Sequence, residues 1–160
     1  AAEGIVESYI HMGGKIGVLV EIEGCTCPSA HELAHDVALQ IAAAKPSYLV
    51  PEEVPAEVLE KEKDILLAQI KNDPKLASKP EQVIAKMVEG KLRKFFSTCC
   101  LTEQEYVKDG SMTVGKYIAS VAKEIGEEFT LTGFVMYEKG EGLEKKEDNF
   151  AEEIAKLTGK

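Results

Sequence analysis

Tryptophan is absent from the 160 residues, and Phe and Tyr contribute five each. So few flat rings argue against a surface that stacks nucleobases one after another. Basic residues are in deficit: 19 Lys and Arg stand against 28 Asp and Glu, a formal charge of −9. Phosphate-binding surfaces depend on clustered Lys and Arg, so neither direct nucleic-acid binding nor adhesion to an anionic membrane is expected. No apolar run approaches the roughly 20 residues that a membrane-crossing helix needs. The longest near the start, Ile16 to Val20, follows no basic segment, so no signal peptide is read. Residue 1 is Ala, not Met, which reads as a processed chain or a fragment. The glycine fingerprints G-x-G-x-x-G and G-x-x-x-x-G-K-[ST] are missing too, so Gly13-Gly14 and Gly140-Glu-Gly142 read as turns, not nucleotide cradles.

What is present suits one folded domain of ordinary composition, with 44% hydrophobic and 29% charged residues. A chain of this length buries about 68–70% of its unfolded surface, enough for a core without disulfide staples. The four cysteines occur as Cys25-Thr-Cys27 and Cys99-Cys100. Two bridges would allow three pairings, but nothing else points to secretion, and reduced thiols are expected.

Residues 5–10 and 16–22 are rich in β-branched side chains and flank His11-Met-Gly-Gly-Lys15, a hairpin pattern. Such a pair needs a helix against one face. Ser29-Ala-His-Glu32 has the spacing of a capping box, and Leu33, Ala34, Val37, Ala38 and Ile41 follow at helical period. Lys45-Pro46 ends that helix, because a residue before Pro avoids helical geometry. Two amphipathic segments, 55–71 and 80–97, are joined by Asn72-Asp-Pro74 to Pro80 and should fold back as an antiparallel hairpin of coiled-coil type. A short extended segment at Tyr106–Gly110, a helix capped by Thr113 and a strand over 131–138 follow. A last short helix is predicted from Asp148 with Phe150, Ile154 and Leu157 on one side. The predicted fold is α+β: a small antiparallel sheet packed on helices, with an inserted antiparallel helical hairpin. Residues 1–50 and 100–142 form the core, 51–99 the inserted hairpin and 143–160 a C-terminal helix module.

The most conspicuous short motif is His31-Glu-Leu-Ala-His35, which fits the H-E-x-x-H of zinc hydrolases. On a helical wheel its two histidines lie at the polar shoulder of the apolar stripe, Glu32 is occupied by the capping box, and no third ligand is marked. A zinc-dependent hydrolase is therefore the alternative, and no resident metal or other cofactor is expected. The C-x-C and C-C pairs lack the C-x₂₋₄-C spacing of common structural zinc sites and read as small hydrophobes. A set drawn from Cys25, Cys27, His31 and His35 is a weaker option.

Six blocks in order resemble the elongation factor Ts family: residues 8–20 (SYIHMGGKIGVLV), 34–42 (AHDVALQIA), 54–62 (VPAEVLEKE), 86–95 (KMVEGKLRKF), 107–115 with VKD and TVG, and 133–142 (GFVMYEKGEG). The resemblance covers nearly all of the chain. It implies a non-enzymatic guanine-nucleotide exchange factor of protein biosynthesis, acting on elongation factor Tu in a bacterial cytoplasm or an organelle's matrix or stroma. The family's N-terminal three-helix module is absent, as is its Thr-Asp-Phe motif; that place reads Glu23-Gly-Cys-Thr-Cys-Pro28. The chain thus resembles the second core copy of longer members, the alternative being a single-core member that has lost the motif. Partner contacts carried over by position are His11, Met12, Gly13, Gly14 and Lys15 in the hairpin loop and Asn149 and Phe150 near the end. Spacing alone would leave His11 a solvated turn residue. Self-association through the helical hairpin is also implied.

Overall fold

The computed structural model describes residues 3–143. The predicted helix from Asp148, and with it Asn149 and Phe150, lies outside the described residues.

The β-branched runs form β1 (Gly4–His11) and β2 (Ile16–Glu23), paired antiparallel from Gly4 opposite Glu23 to His11 opposite Ile16. The third strand of that sheet arrives from the far end of the chain: β5 (Thr130–Glu138) lies antiparallel on the other side of β2, giving the order β1-β2-β5. Because strand side chains alternate, β2 sends Ile16, Val18, Val20 and Ile22 to one face, each at most 5% exposed.

Helix α1 (Pro28–Ala44) covers that face with Leu33, Ala34, Val37, Ala38 and Ile41, which merge with the β2 row into one core. Small residues at 34 and 38 let the helix lie close to the sheet. The sequence places a capping box at Ser29 and Glu32; the helix instead starts two residues earlier, with Cys27 as its cap and Pro28 in the first turn. Proline's fixed φ and missing N–H suit that position, so Ser29 falls inside the helix and makes no cap bond. The end is as expected: Lys45 turns left-handed at φ 47° just before Pro46.

Helix α2 (Ala56–Asn72) and helix α4 (Glu81–Cys99) pack on one another, with the four-residue α3 (Pro74–Ala77) in the connection, capped by Asp73. Only Leu66 and Ile70 are buried in α2, and no residue of α4 is. The chain then returns through Cys100 and Leu101, both fully buried, beside Tyr48. A two-stranded hairpin, β3 (Glu105–Tyr106) with β4 (Asp109–Thr113), leads into α5 (Val114–Ile125), whose first turn is capped by Thr113 as expected. Tyr117, Ile118, Val121 and Ile125 of α5 pack against the same core, with α5 in contact with α1.

Candidate functional site

The β1–β2 turn projects from the end of the sheet. Met12, Gly13 and Gly14 take φ of 52°, 64° and 92°, left-handed values that glycine adopts freely and that cost a residue with a Cβ about 1 kcal/mol. The turn closes through the Lys15 amide, which donates to the His11 carbonyl at 3.2 Å. It is also held from the side: the Lys139 amide donates to the Lys15 carbonyl at 2.7 Å, and Lys45 pairs with Glu138 at 2.7 Å. The tip therefore adjoins the β5 exit, which sequence reasoning did not connect to it. Met12 is 61% exposed. His11 is half-buried, unlike a freely solvated turn residue: its Nδ1 and the Tyr9 hydroxyl are hydrogen-bonded at 2.9 Å.

The tip continues into the sheet's outer face. Register places Ile10, Gly17 and Tyr137 side by side, then Ser8, Leu19 and Val135, then Val6, Glu21 and Gly133. Val6, Ile10, Leu19, Val135 and Tyr137 are all exposed. Because Gly133 has no side chain, a hollow of about 320 Å³ opens among Val6, Leu19, Glu21 and Val135. An apolar strip of this kind, ending in a polar turn, is suited to docking a protein surface. No reactive constellation lies in it.

On α1, His31 and His35 are half exposed, and each Nδ1 lies 3.7 Å from a different oxygen of Glu7 on β1. The edge of the Tyr9 ring meets His35 at 5.5 Å between centroids. Among the described residues these histidines belong to no convergent set of metal ligands. They flank a carboxylate that the sequence did not mark, and the zinc hydrolase finds no support here.

The opposite side of α1 carries two buried polar residues. Asp36 accepts from the hydroxyls of Tyr117 at 2.8 Å and Tyr106 at 3.2 Å and from Lys108; the two tyrosine rings stack at 4.2 Å. Burial pushes the Asp36 carboxyl up, but the bonds from Lys108 and Tyr117 outweigh it and hold the group below the ordinary carboxylate range. One turn on, the Gln40 side chain accepts from the Val107 amide at 2.8 Å and donates to the Glu105 carbonyl at 3.1 Å. Asp36 and Gln40 thereby fasten β3, β4 and α5 to the helix that covers the sheet. They support the site without touching it.

Neither of the two buried cysteines offers a nucleophile. Its hydrogen bond with Cys27 pushes the Cys25 thiol up to about 11, and burial pushes Cys100 up to about 12. Both are thiols, not thiolates, at neutral pH. On the helical hairpin, Ile84, Met87, Val88 and Leu92 of α4 are half-buried, and a groove of about 460 Å³ runs between Leu67 of α2 and Ile84, Val88 and Leu92. No described helix is long and apolar enough to cross a membrane.

Comparison with known proteins gives one consistent result. The family model for elongation factor TS matches residues 1–141. The elongation factor Ts of Desulforamulus reducens is 51% identical over 160 residues, spanning 97% of this chain and 72% of that protein. That of Clostridium perfringens is 48% identical over 158 residues, spanning 98% of this chain and 51% of its own. That of Acetivibrio thermocellus is 48% identical over 161 residues, spanning 98% and 73%. The chain thus covers about half the length of the clostridial protein and under three quarters of the other two.

Proposed function

Because the chain belongs to the elongation factor Ts family, we propose that it binds elongation factor Tu as a guanine-nucleotide exchange factor, or as that factor's partner-binding portion. The observation that carries this is the match across residues 1–141 at about half identity. The mechanism is linkage. A surface that prefers the nucleotide-free partner must weaken nucleotide binding by the same factor, so GDP leaves without any covalent bond being broken. No catalytic group is required of this chain. The site of action is a bacterial cytoplasm or the matrix or stroma of an organelle.

The docking surface proposed is the turn His11–Lys15 with the adjoining outer face of the sheet. Its support is the exposed Met12 and the exposed apolar side chains of Ile10, Tyr137, Leu19 and Val135 behind it. The stretch Glu23–Pro28 stands where the family's Thr-Asp-Phe would be, so these residues bind while accelerating GDP release only weakly. Release of a fluorescent GDP from elongation factor Tu, with and without the chain, tests both parts. Binding with slow release is expected; rapid release by this chain alone would remove the second part, and absence of binding the first.

Self-association through α2 and α4 is a second proposal, favoured by the half-exposed apolar stripe of α4. Light scattering across a concentration series should show mass rising with concentration. A constant monomer mass would exclude it.

A further inference from the structure

Glycine 24 marks an unusually close approach of two connections. Its φ is 97°, and a Cβ there would sit 2.8 Å from the Glu128 carbonyl oxygen. Only a bare backbone lets the β2–α1 connection press so closely on the α5–β5 connection. The consequence is chemical as well as steric. Cys25, buried at 3% exposure, and Cys27, half-buried at the cap of α1, come from the first connection. Glu127 comes from the second, one residue after the left-handed Gly126 that ends α5. The two sulfurs are hydrogen-bonded at 2.8 Å, and one ligand atom from each of the three residues falls within 4.8 Å of the others; a tetrahedral ion with bonds of about 2.3 Å would replace that hydrogen bond and spread the sulfurs by about 1 Å.

Three further features suit a bound cation. The Cys27 amide donates to the Cys25 sulfur at 3.4 Å, a backbone hydrogen bond that orients that sulfur. Cys27 caps α1 yet its side chain makes no cap hydrogen bond, so its sulfur is not committed to the helix amides. The set is graded from buried Cys25 to exposed Glu127, closed on the inside and reachable from solvent. Two thiolates and one carboxylate select thiophilic closed-shell ions over Mg²⁺ or Ca²⁺, and tetrahedral coordination would leave one position for water. The mixed set of cysteines and histidines weighed from sequence is not assembled, because His31 and His35 turn toward Glu7 on β1.

We infer that Cys25, Cys27 and Glu127 form a site for a thiophilic d¹⁰ cation of the zinc class, which would tie the β2–α1 connection to the α5–β5 connection. The site lies away from the proposed docking turn, and its test needs no elongation factor Tu. The full chain, reduced and stripped with chelator, is titrated with Cd²⁺ and Zn²⁺ while thiolate-to-metal absorption and Tm are followed. One equivalent per chain with the ultraviolet Cd–thiolate band, and a Tm that rises with metal, are expected. Cys27→Ser, at a half-exposed position that tolerates serine as a cap, should abolish the band, and Glu127→Gln should weaken binding about tenfold. Cys99→Ser and His35→Ala should leave the stoichiometry unchanged. No stoichiometric binding, full binding retained by Cys27→Ser, or loss of binding in Cys99→Ser or His35→Ala would each overturn the site.

Discussion

On the inner face of the sheet, Ile16, Val18, Val20 and Ile22 keep 0–5% of their surface in contact with solvent; on the outer face, Val6, Ile10, Leu19, Val135 and Tyr137 keep 42–72%. The side chains on the two faces are similar in kind. What separates them is α1, which covers the first and has no counterpart over the second among the described residues. Exposed apolar rows contribute nothing to the stability of the free chain and carry an aggregation risk. A sheet that needed only one buried face would alternate apolar with polar residues, yet β2 runs Ile-Gly-Val-Leu-Val before its first charge. The inner face serves folding; the outer face is the one proposed for a partner.

The sharpest way to separate the two roles is a truncation on the inner side. Ile22→Ala, at a fully buried position, should cost about 2–5 kcal/mol in urea unfolding. The fraction that remains folded should bind elongation factor Tu with unchanged affinity. If affinity falls as stability does, the faces are not functionally distinct.

The cover itself can be loosened next. Asp36→Ala leaves two tyrosine hydroxyls and Lys108 without their acceptor and should cost about 3 kcal/mol at neutral pH. Because Asp36 titrates below the ordinary value of 3.8 in the folded chain, its contribution is complete above that value. It is lost as pH falls through the lower, folded value. The stability gap between wild type and Asp36→Asn, followed by urea unfolding from neutral to acid pH, should therefore close only in strongly acid solution.

Truncating the outer face should reverse the pattern. Tyr137→Ala or Leu19→Ala should change stability by less than about 1 kcal/mol but weaken binding to elongation factor Tu by about tenfold, as measured by calorimetry. The smallest effect is expected at Gly17, where an added Cβ meets nothing within 4 Å. Gly17→Ser should shift stability by no more than about 0.5 kcal/mol. Any change in binding there would come from the groove between Ile10 and Tyr137.

Local signals carried much of the architecture. The β-branched runs around Gly13-Gly14 specified the hairpin, Lys45-Pro46 the end of α1 and Thr113 the start of α5, because each depends on torsions within a few residues. The capping box failed for a local reason as well: Pro28 suits the first turn better than Ser29 suits the cap, and the helix starts accordingly. The proposed docking turn rests on resemblance, since nothing in its spacing distinguishes it from any exposed turn. Asp36 and Gln40 escaped notice because a helical wheel assigns one apolar face, whereas α1 is buried on two sides and meets the second through partners about 70 residues away.

Composition, hydrophobic period and turn chemistry were enough to settle that this chain makes a small antiparallel sheet under a helix, with a two-helix arm. They act through neighbours in sequence, which any conformation must satisfy. Tertiary structure alone decided that β5 would close the sheet beside β2, that Glu7 would stand between two histidines, and that Glu127 would meet Cys25 and Cys27. Those pairings depend on strand register and on how closely bare glycine backbone lets two connections approach, and neither is encoded in any short stretch of residues.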